Sequence, residues 1–167
     1  LAKENTKELF PPTVRNMNEV ICEIMFGKDA LEAEMETEFK NVVMDMQDDR
    51  AMYVISNTAN IFGAASMLYE ENLEKLAEKL DSNLYILPSS VHECIAISDK
   101  FGDPNELAEM VYEINMDQVS LDERLSNQVY QYDKNAKTLR LATDTANKSL
   151  SDIASENNPT HEAGKAR

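Results

Sequence analysis

The spacing of apolar positions along the chain predicts a helical start followed by alternating strands and helices. After Asn16, apolar side chains recur at i, i+3, i+4, i+7 and i+8, which predicts one stripe of a helix (Met17, Val20, Ile21, Ile24 and Met25). Glu19 follows Asn16 as in a capping box, and Gly27 is a typical helix stop. Residues 1–27 are therefore predicted as helical, with an interruption at Pro11-Pro12.

From Met52 onward the pattern predicts strands at 52–56 and 63–69, then a helix near 72–80 with an apolar face. The same order recurs, with strands at 84–87 and 91–98 and a helix near 105–116 that starts at Asp103-Pro104. A final hairpin is predicted at 128–132 and 138–141, turning at 133–135. The two similar blocks indicate a duplicated ββα unit.

These elements predict an α+β fold with a mainly antiparallel sheet of five to six strands, built from the two ββα units and the hairpin. Short turns between consecutive strands make them antiparallel, and we expect both helices on one face of the sheet, over one common apolar surface. We divide the chain into an N-terminal helical segment with an acidic connector (1–50), an α+β domain (51–141) and a polar, flexible tail (142–167).

Composition and charge narrow the function classes. Hydrophobic residues make up 43% and charged residues 28% of the chain, as in ordinary globular proteins, and no run approaches the ~18 apolar residues of a membrane span. A formal charge of −15 disfavours nucleic-acid and anionic membrane surfaces as partners. Cys22 and Cys94 form no CxxC pair, which favours buried free thiols and a reducing, cytoplasmic compartment.

No sequence motif predicts a metal or a cofactor. The stretch 28–50 is rich in Asp and Glu but lacks the D-x-D-x-D-G spacing of a calcium loop, so we interpret it as a solvated connector. His161 lies in the polar tail, where solvation is the expected state.

One polar corner, residues 88–93 between two apolar runs, carries the only histidine outside the tail. Ser90, His92 and Cys94 would share one face of an extended strand, with Glu93 on the other. A serine–histidine enzyme also requires a third orienting group and an oxyanion donor, which the sequence does not provide. Zinc binding is disfavoured because adjacent strand residues point apart. The competing interpretation is structural, with the serines and His92 bonded to turn backbone.

The segments LYILPSSVHE (84–93), MYVISN (52–57), FGAASMLY (62–69) and NLEKLAEKL (72–80) resemble a family of uncharacterised proteins from Firmicutes, many of them gut clostridia. LPSSxHE is its most specific signature, and the resemblance runs from Leu1 to about Leu141. It implies a lineage and a domain boundary, and no activity. The resemblance also implies a further N-terminal segment, and because a segment like LAKENT (1–6) ends a helix in the family, we expect this chain to begin inside a helix. Leu1 is not Met, so we expect the natural start to lie upstream.

The predicted binding site is the polar corner together with the turn of the first repeat, because equivalent turns of a duplicated unit emerge at the same end of a sheet: Pro88, Ser89, Ser90, His92, Glu93, Asn57 and Asn60. The leading hypothesis is a cytoplasmic, non-enzymatic interaction or regulatory module that contacts another protein or its own N-terminal region. The alternatives are a small hydrolase that uses this corner with a missing N-terminal segment, and an acidic mimic of nucleic acid. The oligomeric state stays open.

Overall fold

A single antiparallel sheet organises the chain. The computed structural model describes residues 2–26, 50–88 and 90–143. The strands are β1 (Pro12–Asn16), β2 (Tyr53–Asn57), β3 (Leu84–Leu87), β4 (Cys94–Ser98), β5 (Tyr130–Asp133) and β6 (Thr138–Leu141). Their order in the sheet is β1-β2-β4-β3-β5-β6, and every neighbouring pair is antiparallel. The predicted α+β class and antiparallel sheet are confirmed.

The α-helices in the described ranges are α1 (Ala2–Leu9), α2 (Met17–Phe26), α3 (Glu70–Leu80) and α4 (Pro104–Gln118), and 3₁₀ helices span Gly63–Leu68 and Asp99–Phe101. Helix α4 begins where the sequence indicates, because the Asp103 carboxylate accepts the Asn105 N–H at 2.8 Å. Helix α3 ends at Leu80 and is capped by Asp81, which adopts a left-handed conformation with φ 46°.

The helices α3 and α4 lie on opposite faces of the sheet, so the prediction of both helices on one face is wrong. All residues of β3 are buried. Leu84 and Ile86 pack in a cluster with α3, whereas Tyr85 and Leu87 pack in a second cluster with α4. Because alternate strand residues point to opposite faces, a strand that is apolar at every position needs cover on both sides.

The first predicted ββα unit is also wrong in its second strand, because residues 63–68 form the 3₁₀ helix. The place beside β2 is taken by β1, which lies in the segment 1–27 predicted as helical and pairs from Pro12↔Asn57 to Asn16↔Tyr53. Small side chains such as Ala64 and Ala65 do not have the β-branched character of strands. Proline and the branched Thr13 and Val14 suit an edge strand instead.

Several sequence predictions fall on residues outside the described ranges. They concern the acidic connector up to residue 49, Ser89, and the tail from residue 144, including His161. None of the helices in the described part of the chain has the length and apolar character needed to traverse a bilayer.

Candidate functional site

Three strand ends meet at one end of the sheet. Strands β2 and β3 end at Asn57 and Leu87, and β4 begins at Cys94. Because β4 is antiparallel to both neighbours, the turn after β2 and the corner before β4 emerge together. The structure therefore places the 58–62 turn beside the 88–93 corner.

His92 joins the corner to the turn. Its Nδ1 accepts a hydrogen bond from the backbone N–H of Phe62 at 3.2 Å, and its Nε2 lies 3.4 Å from a carboxylate oxygen of Glu123. The rings of His92 and Phe62 lie with centroids 5.7 Å apart. An imidazole that accepts through Nδ1 carries its proton on Nε2, where it faces the Glu123 carboxylate. The His92 side chain remains 33% exposed.

The backbone of the corner is held by the end of β2 and by the start of the 3₁₀ helix. The buried Ser56 hydroxyl donates to the His92 carbonyl at 2.8 Å, and the Ala64 N–H donates to the Val91 carbonyl at 3.2 Å. Gly63 lies between these bonds. A Cβ at Gly63 would lie 2.2 Å from the Ser56 hydroxyl oxygen and 2.5 Å from the His92 carbonyl oxygen. The close approach of two backbone segments therefore requires glycine.

The corner is also bonded to the segment that follows α4. Ser90 forms an isolated β-bridge with Arg124. Next to that bridge, the Val91 N–H donates to the Glu123 carbonyl at 2.8 Å, and the Ser126 N–H donates to the Pro88 carbonyl at 3.0 Å. These backbone contacts fix the corner between two other segments.

Arg124 anchors this following segment to helix α4. Its guanidinium donates to the Val119 carbonyl at 2.9 Å and to the Met116 carbonyl at 3.4 Å. Carbonyls at the end of a helix lack intrahelical partners, so a guanidinium there satisfies them. The charge of Arg124 is thus directed toward α4.

The predicted site residues differ in accessibility. Pro88 is fully buried, and Asn57 is buried with its side chain bonded to the turn, donating to the Ile61 carbonyl at 2.8 Å. Asn60, with φ 53°, and Glu93 are exposed. Ser90 is half-buried, like His92.

The polar contacts of the corner do not form a serine–histidine pair within the described residues. The Ser90 hydroxyl accepts the backbone N–H of His92 at 3.0 Å, a turn contact. The strand starts at Cys94, so the predicted alternation through Ser90, His92 and Cys94 does not apply. Burial, and secondarily the Glu93 carboxylate, raises the pKa of the Cys94 thiol to about 12, which makes it a poor nucleophile. In the described ranges no three His, Cys, Asp or Glu residues are grouped as metal ligands.

An apolar groove of about 370 Å³ lies beside the corner, and the sequence analysis did not identify it. It opens between the 3₁₀ helix and the segment after α4, and it is lined by Phe62, Ala64, Ala65, Met67, Leu68, Pro88, Val91, Leu125, Ser126 and Tyr130. Phe62, Leu68 and Leu125 remain 68%, 55% and 47% exposed. The sequence feature that could have indicated an apolar surface here is the pair Ile61-Phe62, which directly follows a polar turn.

The model of a protein family matches residues 1–134 of this chain, and that family is described as a family of unknown function, DUF5688. The chain belongs to the DUF5688 family. No curated protein and no solved structure matches it significantly. The match confirms the predicted membership in a family of unknown function, while the Firmicutes lineage and the LPSSxHE signature remain predictions. In this DUF5688 protein the corner and the groove both lie within the matched range.

Proposed function

We propose that this chain is a protein-interaction or regulatory module that binds its partner through the apolar groove beside the 88–93 corner. The observation that carries the proposal is the convergence of three exposed apolar side chains, Phe62, Leu68 and Leu125, on one groove of about 370 Å³. Concave apolar sites with a few polar groups at the rim are typical of binding surfaces. The partner is another protein or the protein's own N-terminal region.

The frame around the groove supports this function because it is held in place before any partner arrives. Gly63 packs directly against Ser56 and His92, and the corner is bonded to residues 123–126. A preformed site loses less conformational entropy on binding than a loose one. Met67, which lines the groove, adds an unbranched side chain that adapts to different occupants.

The contacts of His92 support binding over hydrolysis. Both of its ring nitrogens face groups other than a serine hydroxyl, namely the Phe62 N–H and the Glu123 carboxylate. A general base needs a free nitrogen within hydrogen-bond reach of its nucleophile. A regulatory module without catalytic activity of its own, in a reducing cytoplasm that keeps Cys22 and Cys94 as free thiols, is consistent with these features.

The ion pairs near α3 give less support to an acidic mimic of nucleic acid. Glu71 pairs with Lys7 at 2.7 Å, and Glu74 pairs with Lys137. Carboxylates that are paired with lysines do not present the continuous negative charge of a phosphate backbone.

A groove-filling variant tests the proposal. Ala65 is exposed and lines the groove, so Ala65→Trp would fill it without replacing a core side chain. The matched control is Ala136→Trp, in the exposed β5–β6 turn at the other end of the sheet. Immobilised wild type and both variants would be incubated with lysate of the source organism, and retained proteins would be quantified by mass spectrometry.

We expect at least one lysate protein to be retained equally by wild type and Ala136→Trp. The amount of that protein retained by Ala65→Trp should be at least tenfold lower, which corresponds to about 1.4 kcal/mol of binding free energy. Equal retention by all three proteins would contradict binding through the groove. Thermal unfolding of each variant would establish that the loss does not come from unfolding.

A further inference from the structure

We infer that the groove takes a basic peptide segment that inserts one or two large apolar side chains. The inference rests on the proposed function and adds the chemistry of the partner. It combines the size of the groove with the distribution of charge around it.

The size of the groove determines how large the inserted apolar side chain of the partner, its anchor, can be. An engineered apolar cavity of about 150 Å³ holds a benzene molecule. The groove of about 370 Å³ therefore has room for one aromatic or two aliphatic side chains. Few polar groups line the groove. Among its lining residues, Ser126 and Tyr130 carry a hydroxyl group and the others are apolar. A charged side chain inside it would lose its hydration without an ionic partner.

The charge around the groove determines which residues we expect on either side of the partner's apolar anchor. The residues that line the groove lie at 62–68, 88, 91, 125, 126 and 130. Four carboxylates, which we call the acidic rim, follow or precede these residues by two or three positions in the chain: Glu70, Glu93, Asp122 and Glu123. The charges of two basic residues near this region are already engaged. The Arg124 guanidinium is bonded to carbonyls at the end of α4, and Lys7 is paired with Glu71. Glu70, Glu93 and Asp122 are exposed, and the Glu123 side chain is 47% exposed.

An acidic rim around an apolar groove selects partners by charge. Lys or Arg residues on both sides of an apolar anchor would contact the rim, whereas Asp or Glu residues there would be repelled. The chain's net charge of −15 extends the same preference over longer distances and speeds association with a cationic partner. Nucleic acids and anionic membranes are repelled for the same reason.

A peptide-display selection on immobilised wild type would identify the preferred chemistry, with Ala65→Trp as the counter-selection. Selected peptides, labelled with fluorescein, would then be titrated by fluorescence anisotropy at two salt concentrations. For each peptide, one version would have its Lys and Arg residues changed to Glu, and another would have its apolar anchor changed to Ala.

The rim is tested with Glu93→Gln combined with Glu123→Gln. Its matched control is Glu109→Gln combined with Glu113→Gln, two exposed carboxylates on α4, which covers the other face of the sheet. Both double variants change the net charge equally, so the comparison isolates the position of the carboxylates from the total charge.

We expect the enriched peptides to carry a large apolar residue flanked by Lys or Arg. Exchange of the basic residues for Glu, or of the anchor for Ala, is expected to weaken binding at least tenfold. The rim variant is expected to weaken binding several-fold and to reduce its salt dependence, with the α4 variant close to wild type.

Two outcomes would reject the inference in different ways. Neutral or acidic peptides that still lose binding to Ala65→Trp would overturn the charge preference and leave the groove as the binding surface. Selection of no peptide that depends on the groove, together with lysate binding that Ala65→Trp does not change, would reject both the inference and the proposed function.

Discussion

Phe62 is held in a left-handed conformation by the side chain of His92. Its backbone has φ 50°, and its N–H donates to His92 Nδ1 at 3.2 Å while the two rings lie 5.7 Å apart. An aromatic residue with positive φ is uncommon, because this backbone conformation costs free energy that contacts with the surroundings must offset. The position of Phe62 at the groove therefore depends on His92.

Removal of the His92 side chain should destabilise the fold modestly. His92→Ala deletes the acceptor of the Phe62 N–H and the ring contact, so we expect the free energy of unfolding to fall by about 1–2 kcal/mol. Urea unfolding monitored by circular dichroism measures this change. Glu93→Ala is the control, because its exposed side chain should change stability by less than about 0.5 kcal/mol.

Ser90→Ala separates a turn role from a binding role at the same corner. The Ser90 hydroxyl accepts the His92 N–H at 3.0 Å, so its loss should cost about 1 kcal/mol of stability. Because the Ser90 contact lies within the turn, we expect no change in peptide affinity beyond that explained by unfolding. A tenfold loss of affinity with wild-type stability would assign Ser90 to the binding surface.

Gly63 should tolerate no larger residue. The added Cβ of Gly63→Ala would meet Ser56, His92 and the Asn57 backbone at 2.8 Å or less. We expect a loss of about 1–3 kcal/mol in the free energy of unfolding, because these neighbours are mostly backbone or buried.

Gly102→Ala is the matched control for Gly63→Ala. Its added Cβ would meet no atom within 4 Å, and its φ of 170° is extended backbone. Its stability should lie within about 0.5 kcal/mol of wild type. Equal stability of the two alanine variants would show that the 3₁₀ helix does not pack on the corner as described.

The Cys94 thiol should be unreactive in the folded protein. Burial raises its pKa to about 12, so at pH 8 only about one thiol in ten thousand is ionised. In a Cys22→Ser background, iodoacetamide is expected to leave Cys94 unmodified until urea unfolds the chain, as followed by intact mass. Complete alkylation of native protein within minutes would contradict the buried position.

The β5–β6 turn should contribute acid-sensitive stability through Asp133. The backbone N–H groups of Ala136 and Asn135 bond its carboxylate and hold its pKa below the usual 3.8. A lowered folded-state pKa gives stability that is present above the unfolded pKa and lost as pH falls through the folded one. The stability difference between wild type and Asp133→Ala should therefore be constant near neutral pH and shrink below about pH 4. An advantage of wild type that does not shrink as the pH is lowered through the acid range would contradict this.

Much of the local structure follows from local patterns. The helix after Asp103-Pro104 and the β5–β6 hairpin lie within a few residues of their predicted bounds. These elements depend on capping residues, turn residues and apolar spacing, which act over a few positions. They can therefore be predicted without knowledge of the tertiary structure. The candidate corner was predicted in the same way, as a polar interruption between the two apolar runs that became β3 and β4.

The groove and the partners of His92 could not be predicted in this way. Phe62 and Glu123 are distant in sequence from His92, and they meet it only because β2, β4 and the segment after α4 come together at one end of the sheet. The packing of Gly63 could not be predicted for the same reason, because its contacts with Ser56 and the His92 carbonyl join residues that are distant in sequence.

The sequence by itself determined the α+β class, the antiparallel sheet and the acidic, apolar-cored character of the chain, because short-range periodicity and composition specify these. Only the tertiary structure decided which segment fills the place beside β2 and which face each helix covers. Strand 84–87 is apolar at every position and needs cover on both faces, but its sequence does not specify which segment covers which face. The choice depends on long-range packing, which places α3 on one side and α4 on the other and opens the groove at their common end of the sheet.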